Sequence, residues 1–120
     1  MGDNMPKMNI KVSIHNEMEN SHYKVPAIFQ EDTMKYKEQD DTIVTYNYRD
    51  NILLRENKEL RMKYPFDPNR QTTGEIIIKE LEKTMKIKIE TIKLERKNQN
   101  IEIVFKIDEN QFLYKIEEVI

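Results

Sequence analysis

Apolar and polar residues alternate along most of this chain. In Leu60-Arg61-Met62-Lys63-Tyr64-Pro65-Phe66 every even position is apolar and every odd position is charged or proline. Met85-Lys86-Ile87-Lys88-Ile89-Glu90 and Ile101-Glu102-Ile103 repeat the pattern. A period of two belongs to a half-buried β-strand, because successive side chains point to opposite faces.

The alternation predicts a series of strands separated by short polar turns. Met8 to His15 comes first, with Met8, Ile10, Val12 and Ile14 inward, and Asn16 to Ser21 turns the chain. Tyr23, Val25, Ala27 and Phe29 share the inner face of the next strand. Pro26 cannot donate to a ladder and marks an edge or a bulge there. Met34 and Tyr36 form a short strand, Val44, Tyr46 and Tyr48 another, and Ile52 to Arg55 a third. Asp67-Pro68-Asn69-Arg70 is the strongest loop signal.

Thr72 to Leu81 carries Ile76-Ile77-Ile78 on both faces, which predicts a well-covered strand. Thr84 to Glu95 changes phase: Met85, Ile87 and Ile89 are odd, whereas Ile92 and Leu94 are even. One extra residue near Thr91 turns Ile92 and Leu94 inward, which is the effect of a β-bulge. A helix over Glu75 to Arg96 is the competing reading, with Ile77, Leu81, Met85 and Ile92 as its stripe. Lys88 interrupts that stripe, and the alternation on either side of it buries nothing on a helix. Asn98-Gln99-Asn100 and Asp108-Glu109-Asn110 are turns around Ile101, Ile103, Phe105 and Ile107, and Phe112, Tyr114 and Ile116 close the chain. The expected fold is all-β: a single antiparallel meander closed into a barrel of about eight to ten strands, since closure removes exposed edges.

The chain has 120 residues and no cysteine, so it is read as one domain over residues 7–120, without disulfides or thiolate metal sites. Residues 1–6 are expected to be a disordered lead-in. They hold no apolar h-region, and Pro6 breaks the myristoylation pattern. The apolar run Ile76 to Ile78 is far shorter than the roughly 20 residues of a membrane-spanning helix. These features lead to the expectation of a cytoplasmic protein with no membrane partner. Net charge is −2, but residues 55–97 carry 12 Lys/Arg against 8 Asp/Glu. The plain reading of that excess is a solvated outer face. The sharper one is a stripe for single-stranded nucleic acid, with Tyr46 and Tyr48 beside Arg49, Arg61 and Lys63 as platform and cations. A sequence pI near 5.8 disfavours it.

Catalytic motifs are lacking. The serines are Ser13 and Ser21, neither in a nucleophile elbow. The glycines are Gly2 and Gly74, too few for a phosphate-cradling loop. His15 and His22 would face each other across a hairpin centred between Met18 and Glu19, with Glu17 or Glu19 as a third ligand. The plain alternative is two exposed residues flanking a turn, and no metal centre or cofactor is expected.

Arg55 with its turn, Leu60 to Phe66, Thr72-Thr73-Gly74, Thr91-Ile92-Lys93-Leu94 and the final hairpin resemble the YwiB-like bacterial family of unknown function. That resemblance implies a calycin-type, lipocalin-like barrel. The wider calycin group often holds small apolar molecules inside the barrel. This chain departs from two of its patterns, having no Trp and no Arg after Arg96.

The aromatics are the best site candidates. Tyr46, Tyr48, Met62, Tyr64, Phe66, Phe105 and Tyr114 fall at period-two positions, and tyrosines turned inward would give apolar walls with polar handles. The sequence therefore points to a non-enzymatic binding protein for a small apolar or amphipathic ligand. The alternative is a barrel filled by its own side chains that binds a protein or a single-stranded nucleic acid on its outer surface.

Overall fold

The computed structural model describes residues 7–119. The expected lead-in at residues 1–6 and the terminal Ile120 lie outside them. Ten strands run in chain order: β1 (Lys7–His15), β2 (Asn20–Gln30), β3 (Thr33–Lys37), β4 (Ile43–Asn47), β5 (Ile52–Glu56), β6 (Leu60–Pro65), β7 (Thr72–Ile78), β8 (Lys83–Lys97), β9 (Asn100–Ile107) and β10 (Asn110–Glu118). Each pairs antiparallel with the next, and β1 pairs β10, from Ile10 opposite Glu118 to His15 opposite Leu113. The result is a closed barrel. The segment that competed as a helix is β7, a turn and β8. Among the described residues no helix is long and apolar enough to cross a membrane.

The alternation places the core. Ile10, Val12, Val44, Tyr46, Ile103 and Ile116 are fully or almost fully buried. A meander puts alternate turns at opposite ends. One end carries the β1–β2, β3–β4, β5–β6, β7–β8 and β9–β10 turns, and the other carries the remaining four.

Closure is incomplete where β2 meets β3. Asn16 N donates to Glu19 O across the first turn, so the odd residues of β2 bond to β1 and the even ones face β3. Pro26 falls on an even position and has no N–H to give. Pairing between β2 and β3 runs only from Ala27 opposite Tyr36 to Gln30 opposite Thr33. Below it, β2 borders a gap.

The structure corrects several local expectations. The first hairpin turns between Glu17 and Met18, one residue earlier than read, because the Asn16 side chain accepts from the Met18 and Glu19 amides and tightens the turn. His15 therefore faces Asn20, and His22 faces Ser13. The bulge in β8 is present, but its extra residue is Ile92 itself. Thr91 faces Phe105, Lys93 faces Val104, and Ile92 is left out of the pairing and 47% exposed. Thr91 is buried instead, and its hydroxyl accepts from the Asp67 amide, anchoring the β6–β7 loop. The Ile76–Ile78 run is only half-buried rather than well covered, because the β7–β8 end rises past the packed interior. Leu81, in the turn that ends β7 early, is 67% exposed. Gly74 marks a close approach: a Cβ there would sit 2.7 Å from the Lys63 carbonyl oxygen.

Candidate functional site: a polar mouth on a filled barrel

The two ends of the barrel differ. At the end away from the first hairpin, tyrosines close the interior. The Tyr46 hydroxyl donates to Asn51 Oδ1 at 3.1 Å and that of Tyr48 to the Gln99 carbonyl at 2.8 Å. The Arg96 guanidinium lies 4.5 Å from the centre of the Tyr48 ring. Mid-barrel, Phe66 packs against Phe105 at 4.9 Å, and Phe105 stacks on Phe112 at 5.2 Å. The interior of this half is filled by its own side chains.

The other end is polar inside. Arg55 sits two residues after the buried Leu53 and so shares its inward face. Glu38 follows Tyr36 in the same way, one residue past β3. The two side chains meet there, with Arg55 Nη2 donating to Glu38 Oε1 at 2.5 Å. The Tyr23 hydroxyl crosses the gap beside β2 and donates to Glu38 Oε2 at 2.8 Å. Behind them the hydroxyls of Tyr36 and Tyr114 lie 2.6 Å apart. Arg55 Nε is buried and finds no acceptor among the described residues.

Burial acts on the arginine and on the phenols. It tends to weaken the charge of Arg55, but the hydrogen bond and charge of Glu38 outweigh it and raise the pKa. Burial pushes the phenols of Tyr23, Tyr36, Tyr64 and Tyr114 up. Around neutral pH the cluster is an ion pair ringed by protonated phenols. Phenols held this way are hydrogen-bond donors.

Beside the ion pair lies a cavity of about 160 Å³, walled by Leu53, Tyr64, Phe105, Ile107 and Phe112, with Arg55, Glu38 and Tyr114 at its polar side. A wider recess of about 530 Å³ opens outward past Glu38 and Arg55 to Tyr23, His22 and Asp40. Of the seven residues expected from sequence, Tyr64, Phe105 and Tyr114 line the cavity. Met62 accepts the Tyr64 hydroxyl through its sulfur at 3.2 Å. Phe66 packs behind Phe105, and Tyr46 and Tyr48 belong to the closed end. Both of these tyrosines are buried, so they offer no outer platform for stacked bases. Arg55, Glu38, Tyr23 and Tyr36 were not among the expected residues. Their signal was present as charged or polar positions in phase with apolar ones, in Met34-Lys35-Tyr36-Lys37-Glu38 and Leu53-Leu54-Arg55.

The two histidines are close, with ring centres 4.7 Å apart, but as diagonal neighbours. The nearest side-chain partner of His22 is the Ser13 hydroxyl, 3.2 Å from Nδ1. Among the described residues no group of three or more His, Cys, Asp or Glu is placed to hold a metal ion.

Fold and mouth together define a small antiparallel β-barrel protein with a filled interior and one polar end. A similar solved structure is the crystal structure of the ywiB protein from Bacillus subtilis. The match has a TM-score of 0.56 and 11% sequence identity, and covers 95% of this chain and 91% of that one. At that identity the likeness is one of fold. No family model matches the chain, and no curated protein does.

Proposed function

We propose that this protein is a non-enzymatic binding protein that takes one small amphipathic molecule into the mouth at Arg55 and Glu38. The observation that carries this reading is an apolar-walled cavity of about 160 Å³ whose polar side is formed by the Arg55–Glu38 ion pair and Tyr114. A cavity of about 150 Å³ lined by aliphatic and aromatic side chains is known to take benzene. The apolar part of the ligand is therefore about one six-membered ring in size. The YwiB-like resemblance and its calycin-type implication agree with a ligand held within the barrel.

The test is native mass spectrometry of protein purified gently from its own host. A mass excess that disappears on denaturation, and is lost in Leu53→Phe, supports the reading. A bare protein that also shows no saturable chemical-shift change with small aromatic probes overturns it. The second reading, a surface interaction module, rests on an outer groove of about 760 Å³. Ile43, Thr45 and Leu54 floor it, and Lys35, Lys58, Lys79, Asp40, Asp41, Glu56 and Glu59 border it. Its mixed charges and open shape make it the weaker site.

A further inference from the structure

Part of the β2 edge has no neighbour. Along β2 the even residues turn their backbone N–H and C=O groups toward β3, yet pairing with β3 covers only Ala27 to Gln30. Asn20, His22 and Lys24 therefore present their amides and carbonyls with no strand opposite them among the described residues. From Asn20 to Lys24 this edge is about 13 Å long, which matches an extended segment of about five residues. Pro26 has no N–H and ends it. An open edge of this kind is a template on which an extended peptide adds as a further strand.

Charge says which peptide fits. The recess of about 530 Å³ beside the edge is lined by the carboxylates of Glu19, Glu38 and Asp40 against the single guanidinium of Arg55. Arg55 is already paired with Glu38, while Glu19 and Asp40 are exposed and carry no ion pair among the described residues. The Tyr23–Glu38 hydrogen bond spans the gap from the inner side and gives the recess a floor. In a strand added antiparallel to β2, every second side chain falls in line with Ser21 and Tyr23, on the face where Glu38 lies. A second copy of this chain would bring the same three carboxylates against these, and a nucleic acid would bring phosphates; both are disfavoured by like charge.

We propose that β2 receives an extended basic segment of a partner protein as an added antiparallel strand along Asn20 to Lys24, with Lys or Arg at alternate positions turned to Glu19 and Glu38. This surface lies outside the cavity at Leu53 and Phe105 and does not depend on a small-molecule ligand.

The probe is a capped pentapeptide with lysine at its second and fourth positions and threonine at the others. One control has glutamate in place of lysine. The other keeps lysine and carries a methyl group on its third amide nitrogen, which removes a donor to the β2 edge. The whole protein is titrated with each by NMR at low ionic strength, where exposed charges are least screened, and the exchange of its amides with deuterium is followed. The lysine peptide is expected to bind about tenfold more tightly than either control. When about nine in ten copies are occupied, exchange at His22 and Lys24 should slow about tenfold, because only free copies exchange, while Tyr23 and Val25 are unaffected. In the double variant Glu19→Gln, Asp40→Asn, at two exposed positions, the preference over the glutamate peptide should fall severalfold and the cost of the methyl group should remain. Equal binding of the lysine and glutamate peptides overturns the basic partner. Equal binding of the methylated peptide overturns strand addition. Protection of these amides that grows with protein concentration alone gives the edge to a second copy and overturns the proposal, as does the absence of any saturable change at His22 and Lys24 with the lysine peptide.

Discussion

Tyr36 and Tyr114 hold their hydroxyls 2.6 Å apart inside the barrel, 78 residues apart in sequence. Removing either oxygen leaves the other without this partner in a buried place. Tyr36→Phe and Tyr114→Phe are each expected to destabilise the fold by about 1–3 kcal/mol. The double variant should lose less than the sum of the two, because the second substitution removes the oxygen that the first stranded. Chemical denaturation of the four proteins in the cycle checks this. Residue-scale strain is visible in the turns. Among the described residues Glu31, Asp41, Asn51, Glu82, Asn98 and Asp108 have φ between 48° and 66°, in the left-handed region. Asn and Asp tolerate that region, while Glu does so poorly. Glu31→Gly and Glu82→Gly, both at exposed turns, should therefore stabilise the protein by about 0.5–1 kcal/mol each, net of the extra freedom glycine gives the unfolded chain. Asn98→Gly should gain less. Thermal melts would rank the three.

At the scale of elements, strand β8 shows how far alternation can be read and where it stops. The phase change between Ile89 and Leu94 announced an extra residue. Which residue was extra depended on the partner strand, because Thr91 and Ile92 compete for one inward place opposite Phe105. The hydroxyl of Thr91 won that place by bonding the Asp67 amide, a contact 24 residues away in sequence. The first hairpin failed for a similar reason, since its register depends on where the Asn16 side chain caps the turn and not on its apolar residues. Deleting Ile92 is predicted to leave the barrel intact at a loss of about 1–3 kcal/mol, since Thr91 and Lys93 then follow each other in unbroken register. Deleting Lys88, a few residues earlier, shifts the rest of the strand by one and should prevent folding, because every side chain beyond it changes face. Far-UV circular dichroism and denaturation of the two deletions distinguish these outcomes.

Over the whole molecule, all six tyrosines have pKa values raised above the ordinary 10.0, with burial as the main cause. The unfolded chain releases these protons near pH 10, whereas the folded chain holds them to higher pH. The stability they contribute is therefore complete below pH 10 and is lost as pH rises toward the folded-state values. Phenolate absorbance followed against pH should appear together with loss of the strand signal, as one cooperative alkaline transition. Stepwise ionisation with the fold intact would contradict this. The closed meander was legible because alternation carries it and each turn is local. The mouth was less so. Arg55 and Glu38 read singly as surface charges, and only the pairing of β3 and β5 on either side of β4 shows that the two share one end of the inner face. The same ring has one slack joint, where β2 passes Pro26 and parts from β3. The amide protons of His22 and Lys24 point into that opening with no strand to receive them. They should trade with deuterium from solvent far sooner than those of Tyr23 and Val25, which bond to β1. The wall therefore breathes along this line, beside Tyr23 and Glu38.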